Sequence, residues 1–106
     1  MNVLINRSDA IGDTLLTMPM AKMIKEYHPE AKVAFIVSGK CKDLFIDHPY
    51  IDDFFIFDHK SSFLSKMKFM KDLYKKFKPT VYLHVGGSHI PSFYAWKMGV
   101  KDRGGL

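Results

Sequence analysis

Val3-Leu4-Ile5-Asn6-Arg7-Ser8-Asp9-Ala10-Ile11-Gly12-Asp13-Thr14-Leu15-Leu16 is the stretch on which the fold turns. Its short apolar run, Val3 to Ile5, stops at Asn6-Arg7-Ser8-Asp9, a cluster of turn and cap formers, and reads as a buried strand. From Gly12 onward Leu15, Leu16, Met18, Ala21, Met23 and Ile24 follow a helical period until His28-Pro29, where proline ends the helix. Pro19 lies inside that pattern and is expected to bend the helix or displace its start.

Outward from this unit, strand and helix keep alternating. Val33 to Val37 reads as a second strand closed by Ser38-Gly39, Cys41 to Ile46 as a short helix before His48-Pro49, and Phe54 to Phe57 as a third strand. Ser61 or Ser62 can cap a long helix running to about Lys78. On it Phe63, Met67, Met70, Tyr74 and Phe77 form one apolar stripe, while Lys68, Lys71, Lys75 and Lys76 point away. Pro79 ends that helix. Val81 to Val85 is a fourth strand running into Gly86-Gly87, Pro91 to Met98 a last helix, and Val100 to Arg103 the beginning of a fifth strand. Such alternation predicts an α/β fold, an open parallel sheet with helices on both faces and right-handed crossovers.

With 106 residues the chain is one domain, and 47% hydrophobic with 25% charged residues excludes a disordered or collagen-like polypeptide. The single Cys41 cannot form an internal disulfide, and one thiol with five scattered histidines predicts no metal site. A reducing compartment, the cytoplasm, fits. Neither a membrane-spanning run nor a signal peptide is visible. The formal charge of +5 is unevenly spread. Residues 60–78 hold seven lysines against one acid, Asp72, and the rest of the chain is close to neutral. One basic face, rather than a nucleic-acid coat, is the implication.

Ligands of open parallel sheets bind beyond the carboxyl ends of the strands. The loops to read are therefore 6–13, 37–40, 58–62 and 86–89. The first is the richest, with Arg7, Ser8, Asp9, Gly12, Asp13 and Thr14 between a strand and a helix start, where free amides can receive an anion. Neither a dinucleotide G-x-G-x-x-G nor a Walker loop is present. Asp9 reads as an N-cap or loop hydrogen-bonder. Arg7 suits a phosphate or carboxylate, or a pairing with Asp9 or Asp13. Ser8 and Thr14 fit either ligand contact or helix capping. Taken alone, Asp13 would serve the positive end of the helix.

The run from Arg7 through Gly12-Asp13-Thr14 to Pro19 resembles the N-terminal signature of the glycosyltransferase family 9 heptosyltransferases. Tyr27-His28-Pro29, His48-Pro49-Tyr50-Ile51-Asp52 and Gly99-Val100-Lys101-Asp102-Arg103 extend the similarity over essentially the whole chain. The resemblance implies a Rossmann-like domain, the N-terminal, acceptor-binding half of a two-domain enzyme of the GT-B type. It implies inverting transfer of a sugar from a nucleotide-sugar donor to a lipopolysaccharide core acceptor at the cytoplasmic face of the inner membrane, without a metal or other cofactor. Asp13 would be the general base, with Arg7, Ser8, Gly12, Thr14, Gly86, Gly87 and His89 contacting substrate. Where many relatives carry an Asp-Leu-Gln-Gly type sequence, this chain has His84-Val85-Gly86-Gly87. His84 itself reads as a partly buried strand residue. The donor site would lie in a C-terminal domain beyond these residues, so the chain alone is expected to be inactive.

The lysine helix has further readings besides a solvated face. Lys68, Lys71, Lys75 and Lys76 could meet anionic membrane lipid peripherally, or the phosphates of the acceptor. Nucleic acid is not expected, because no aromatic-interleaved basic motif accompanies the charge. A different class of function is a stand-alone α/β module binding an anionic sugar or phosphate through the first loop. A phosphoacceptor signalling domain is rejected, because the adjacent acidic pair after the first strand is missing.

Overall fold

The computed structural model describes residues 1–7, 11–39, 50–86 and 88–105; the side chains of residues 11–18 and of residue 105 lie outside that description. Five strands form one parallel sheet: β1 (Asn2–Arg7), β2 (Lys32–Val37), β3 (Asp53–Ile56), β4 (Val81–Gly86) and β5 (Asp102–Gly105). Their spatial order is β3-β2-β1-β4-β5. This is the Rossmann-like α/β arrangement, with the chain winding first to one side of β1 and then to the other.

Alternation along β1 decides which helix covers which face. Val3 and Ile5 pack with Val33, Phe35, Val37 and Ala21 on the side of α1 (Ile11–Tyr27). Leu4 faces the opposite way, into a core with Ala34, Ile36 and Tyr82 that is covered by α2 (Phe63–Phe77) and α3 (Ile90–Lys97). A strand buried on both faces must be apolar on both faces, which is why Val3-Leu4-Ile5 has no polar alternation.

Of the two effects expected of Pro19, displacement of the helix start is not seen in α1. It begins at Ile11 and runs on through the proline to Tyr27. The missing amide hydrogen costs one backbone bond, but Pro19 is exposed, so water can satisfy the carbonyl it leaves. Met23 departs from the expected pattern, lying outside the buried stripe and 59% exposed.

In α2, Ser62 is the N-cap and its Oγ accepts from the Ser65 amide at 3.2 Å. The buried face is Met70, Leu73, Tyr74 and Phe77, with Met67 half-buried. Phe63 was expected on this stripe and is instead 60% exposed, because the helix starts beyond the edge of the core it covers. The last turn closes on Lys78, which adopts φ 54°, and its amide donates to the Tyr74 carbonyl at 3.0 Å. Asn2 ties this end to the central strand, its Nδ2 donating to the Phe77 carbonyl at 2.7 Å.

Helix α3 ends in a Schellman motif. The Val100 amide donates to the Ala95 carbonyl at 3.0 Å and the Gly99 amide to the Trp96 carbonyl at 3.1 Å. Gly99 takes φ +76°, which a residue without Cβ adopts at no steric cost. The expected helix over Cys41–Ile46 lies outside the described residues.

Candidate functional site at the switch point

The strand order reverses between β1 and β4, so the crevice at their carboxyl ends is where this architecture places a ligand. Register there is irregular. Asn6 pairs with His84 but Arg7 pairs with Gly86, which leaves Val85 as an extra residue in β4. A bulge of this kind bends the strand and re-aims the groups beyond it. The Val85 carbonyl accepts from Arg7 Nη1 at 2.9 Å, so the arginine side chain lies along the bulge.

On the α3 side of the sheet, Asn6 continues the face begun by Leu4 and is completely buried. Burying an amide is tolerated only when its hydrogens are met. Nδ2 donates to the Ser88 carbonyl at 2.8 Å and also faces Tyr82 Oη at 3.1 Å and His84 Nδ1 at 3.2 Å. Ser92 Oγ, from α3, reaches His84 Nδ1 at 3.0 Å and Tyr82 Oη at 3.1 Å. The Ser88 carbonyl can only accept, so it fixes the amide's orientation. His84 Nδ1 then meets amide hydrogens on one side and two hydroxyls on the other. A lone pair at Nδ1 satisfies this arrangement and places the proton of the neutral ring on Nε2.

Burial pushes the Tyr82 phenol above its usual pKa, and its hydrogen bonds to Ser92 and Asn6 only partly oppose the shift. Tyr82 therefore stays protonated and donates within the cluster. The His84 ring stacks on His89 with centroids 4.8 Å apart and planes 19° from parallel. His89 is exposed at the head of α3, and the half-buried His84 beneath it is held by the hydrogen-bond network.

Arg7 and Gly86 are register partners at the carboxyl ends of β1 and β4, and His89 stands at the head of α3. Gly12, Asp13 and Thr14 lie in the first turn of α1, directly after the carboxyl end of β1, with their backbone alone described. Ser8, Asp9 and Gly87 lie outside the described residues, as does Cys41. The lysines are elsewhere. Lys68, Lys71 and Lys75 flank α3, whereas Lys76 turns to the other side of α2, 3.4 Å from Asp53 and 5.6 Å from the centre of the Phe55 ring. Sequence reading missed Asn6, Tyr82, Ser88 and Ser92 as a unit. The one available signal was a polar residue following an apolar strand, and that is also what a turn looks like. Among the described residues no group of histidine, cysteine or acidic side chains could hold a metal, and no helix is long and apolar enough to cross a membrane.

No known family's sequence profile matches the chain, nor does any curated protein sequence. Solved structures do match in fold. A glycosyltransferase family 9 protein from Veillonella parvula superposes with a TM-score of 0.86 at 18% identity over 99% of this chain and 31% of its own. E. coli ADP-heptose LPS heptosyltransferase II does so with a TM-score of 0.80 at 15% identity, over 99% of this chain and 30% of its own. The chain spans about a third of the length of either protein. Its five-stranded parallel sheet and helices have the fold of that third of a family 9 glycosyltransferase.

Proposed function

We propose that the chain is the acceptor-binding domain of a glycosyltransferase of the family 9 type, with Asp13 as its general base. The observation that carries this reading is the fold likeness over nearly the full chain, at a TM-score of 0.86. The resemblance carried by the Arg7–Pro19 sequence supports it from a second side.

A sugar hydroxyl is a weak nucleophile at neutral pH, and a carboxylate within hydrogen-bond reach accelerates its attack by accepting the proton in the transition state. Inversion needs one displacement at the anomeric carbon. The hydroxyl oxygen forms the new bond, the bond to the nucleotide's phosphate breaks, and the proton passes to Asp13. Arg7 and the amides opening α1 suit an anionic group on the acceptor, and the His84–His89 rings suit the apolar face of a sugar. The acceptor in this reading is a lipopolysaccharide core saccharide, and a second domain supplies the nucleotide sugar. Work on such an acceptor would take place beside the membrane that holds it.

The test is a chimaera in which these 106 residues replace the matching third of E. coli ADP-heptose LPS heptosyltransferase II. Transfer from ADP-heptose is expected, with Asp13→Ala reducing kcat by about 10²- to 10⁴-fold. A folded chimaera turning over equally well with Asp13→Ala would remove the assigned base.

A further inference from the structure

The lysines that gather the chain's positive charge do not act as one face. Lys76 pairs with Asp53, and Lys66 donates to the His59 carbonyl at 3.0 Å while sitting 5.7 Å from the centre of the Phe57 ring. Lys71, Lys75, Lys78 and Lys97 behave differently. They line a groove of about 810 Å³ between α2 and α3, and among the described residues none of them makes an ion pair. Among the described residues no acid lines that groove. A neighbouring hollow of about 530 Å³ continues it toward Lys68 and adds a single carboxylate, Asp72.

The wall of the groove is aromatic. Tyr74 and Tyr94 meet edge to face with centroids 5.0 Å apart, and the Lys97 ammonium lies 5.9 Å from the centre of the Tyr94 ring. Tyr74 is 92% buried, yet its hydroxyl has no hydrogen-bond partner among the described residues. An unmet buried hydroxyl costs stability unless something completes it. Burial also raises the phenol's pKa, with Tyr82 and Tyr94 adding to the effect, so the group remains a donor.

Lys78 adds a second sign of selection for charge. It holds φ 54° at the helix end, a conformation in which glycine is the usual residue, and it nevertheless carries an ammonium to the groove. Four cations in one concavity repel one another, and a multiply charged anion relieves that repulsion with several charge-assisted hydrogen bonds. The groove takes in Lys78, Pro79 and Thr80, which precede β4, so it opens at the end of the sheet away from the Gly86 crevice.

We propose that the α2–α3 groove is a binding site for a ligand carrying two or more phosphate groups, held by Lys71, Lys75, Lys78 and Lys97. The ligand is either a free phosphorylated molecule or the head group of an anionic lipid. The site stands apart from the proposed sugar transfer and does not depend on it.

The full chain is titrated with inorganic pyrophosphate and, separately, with phosphatidylcholine vesicles with and without cardiolipin, whose head group bears two phosphates. Amide resonances of 71–80 and 94–100 report occupancy. Saturable shifts are expected there, with the double variant Lys75→Gln/Lys97→Gln weakening binding about tenfold or more and the equally neutralised Lys60→Gln/Lys76→Gln changing it less than about twofold. Response to pyrophosphate alone identifies a soluble ligand, and response to cardiolipin alone identifies a lipid head group; either supports the site. Silence toward both probes, or equal loss in the two double variants, overturns it.

Discussion

Asn6 and Ser88 are joined by a 2.8 Å hydrogen bond from side-chain amide to backbone carbonyl, which fastens the end of the central strand to the turn that opens α3. The two residues are 82 positions apart. The crevice at the switch point keeps its shape because a buried donor holds its two sides together.

Removing that donor takes a buried hydrogen bond from the Ser88 carbonyl and the amide contacts from Tyr82 and His84. Asn6→Ala is expected to lower stability by about 2 kcal/mol, read as a reduced urea midpoint at unchanged m-value. An unchanged midpoint would mean the network carries no net stability.

The same geometry predicts the tautomer of His84. Long-range proton–nitrogen NMR at neutral pH should find Nδ1 unprotonated and the hydrogen on Nε2. Finding the proton on Nδ1 would mean that the ring donates to Ser92 Oγ or Tyr82 Oη instead, and would overturn the assignment.

Asp52 gives a pH signature. Burial raises its pKa, but the hydrogen bonds from Lys25 at 2.6 Å and from the Val33 amide at 2.8 Å, with the charges of Lys25 and Lys32, outweigh this and hold it below the usual 3.8. A carboxylate lowered in the folded state adds stability that is complete above its unfolded pKa and is lost as pH falls through the folded value. The side chain keeps 40% of its surface in water, so Asp52→Asn should cost only about 1 kcal/mol at neutral pH. Thermal melts of the two proteins should begin to draw together near about pH 4 and meet only once the pH has fallen through the lower folded-state pKa; a gap unchanged through that acid range would contradict the assignment.

Lys78→Gly separates fold from ligand. Relief of the left-handed strain is offset by glycine's greater freedom when unfolded, so stability should stay level or rise by up to about 1 kcal/mol. Affinity for pyrophosphate should fall at the same time. A variant that lost stability would show that the lysine side chain, and not its charge in the groove, is what the helix end needs.

Local pattern made most of the fold legible. Val3-Leu4-Ile5 and Val33 to Val37 announced buried strands, Ser62 and Pro79 bracketed α2, and the alternation of elements required a parallel sheet. Phe63 escaped because periodicity along a helix does not say where the sheet beneath it stops. Pro19 did not displace the start of α1, because an exposed proline can be carried within a long helix at the cost of one bond. Of the candidate site, sequence position alone set Arg7 and Gly86 at strand ends and His89 at a helix start. Asn6, Tyr82, His84 and Ser92 form a cluster only once residues from β1, β4 and α3 meet in space, and no spacing rule encodes such a meeting. The lysines were visible as a run, but only the helix's rotation shows that Lys76 leaves the set and that Lys78 and Lys97 join it.

The place of β1 at the centre of the sheet also governs how the protein is made. Its second neighbour, β4, follows it by more than seventy residues, as the 78-residue separation of Asn2 and Thr80 records. During synthesis the apolar central strand can pair with β2 early, but its other edge stays open until residue 86 has left the ribosome. Closure of that edge is a long-range event of the slow kind, and until it happens Val3-Leu4-Ile5 is the segment of this chain most exposed to pairing with another nascent copy.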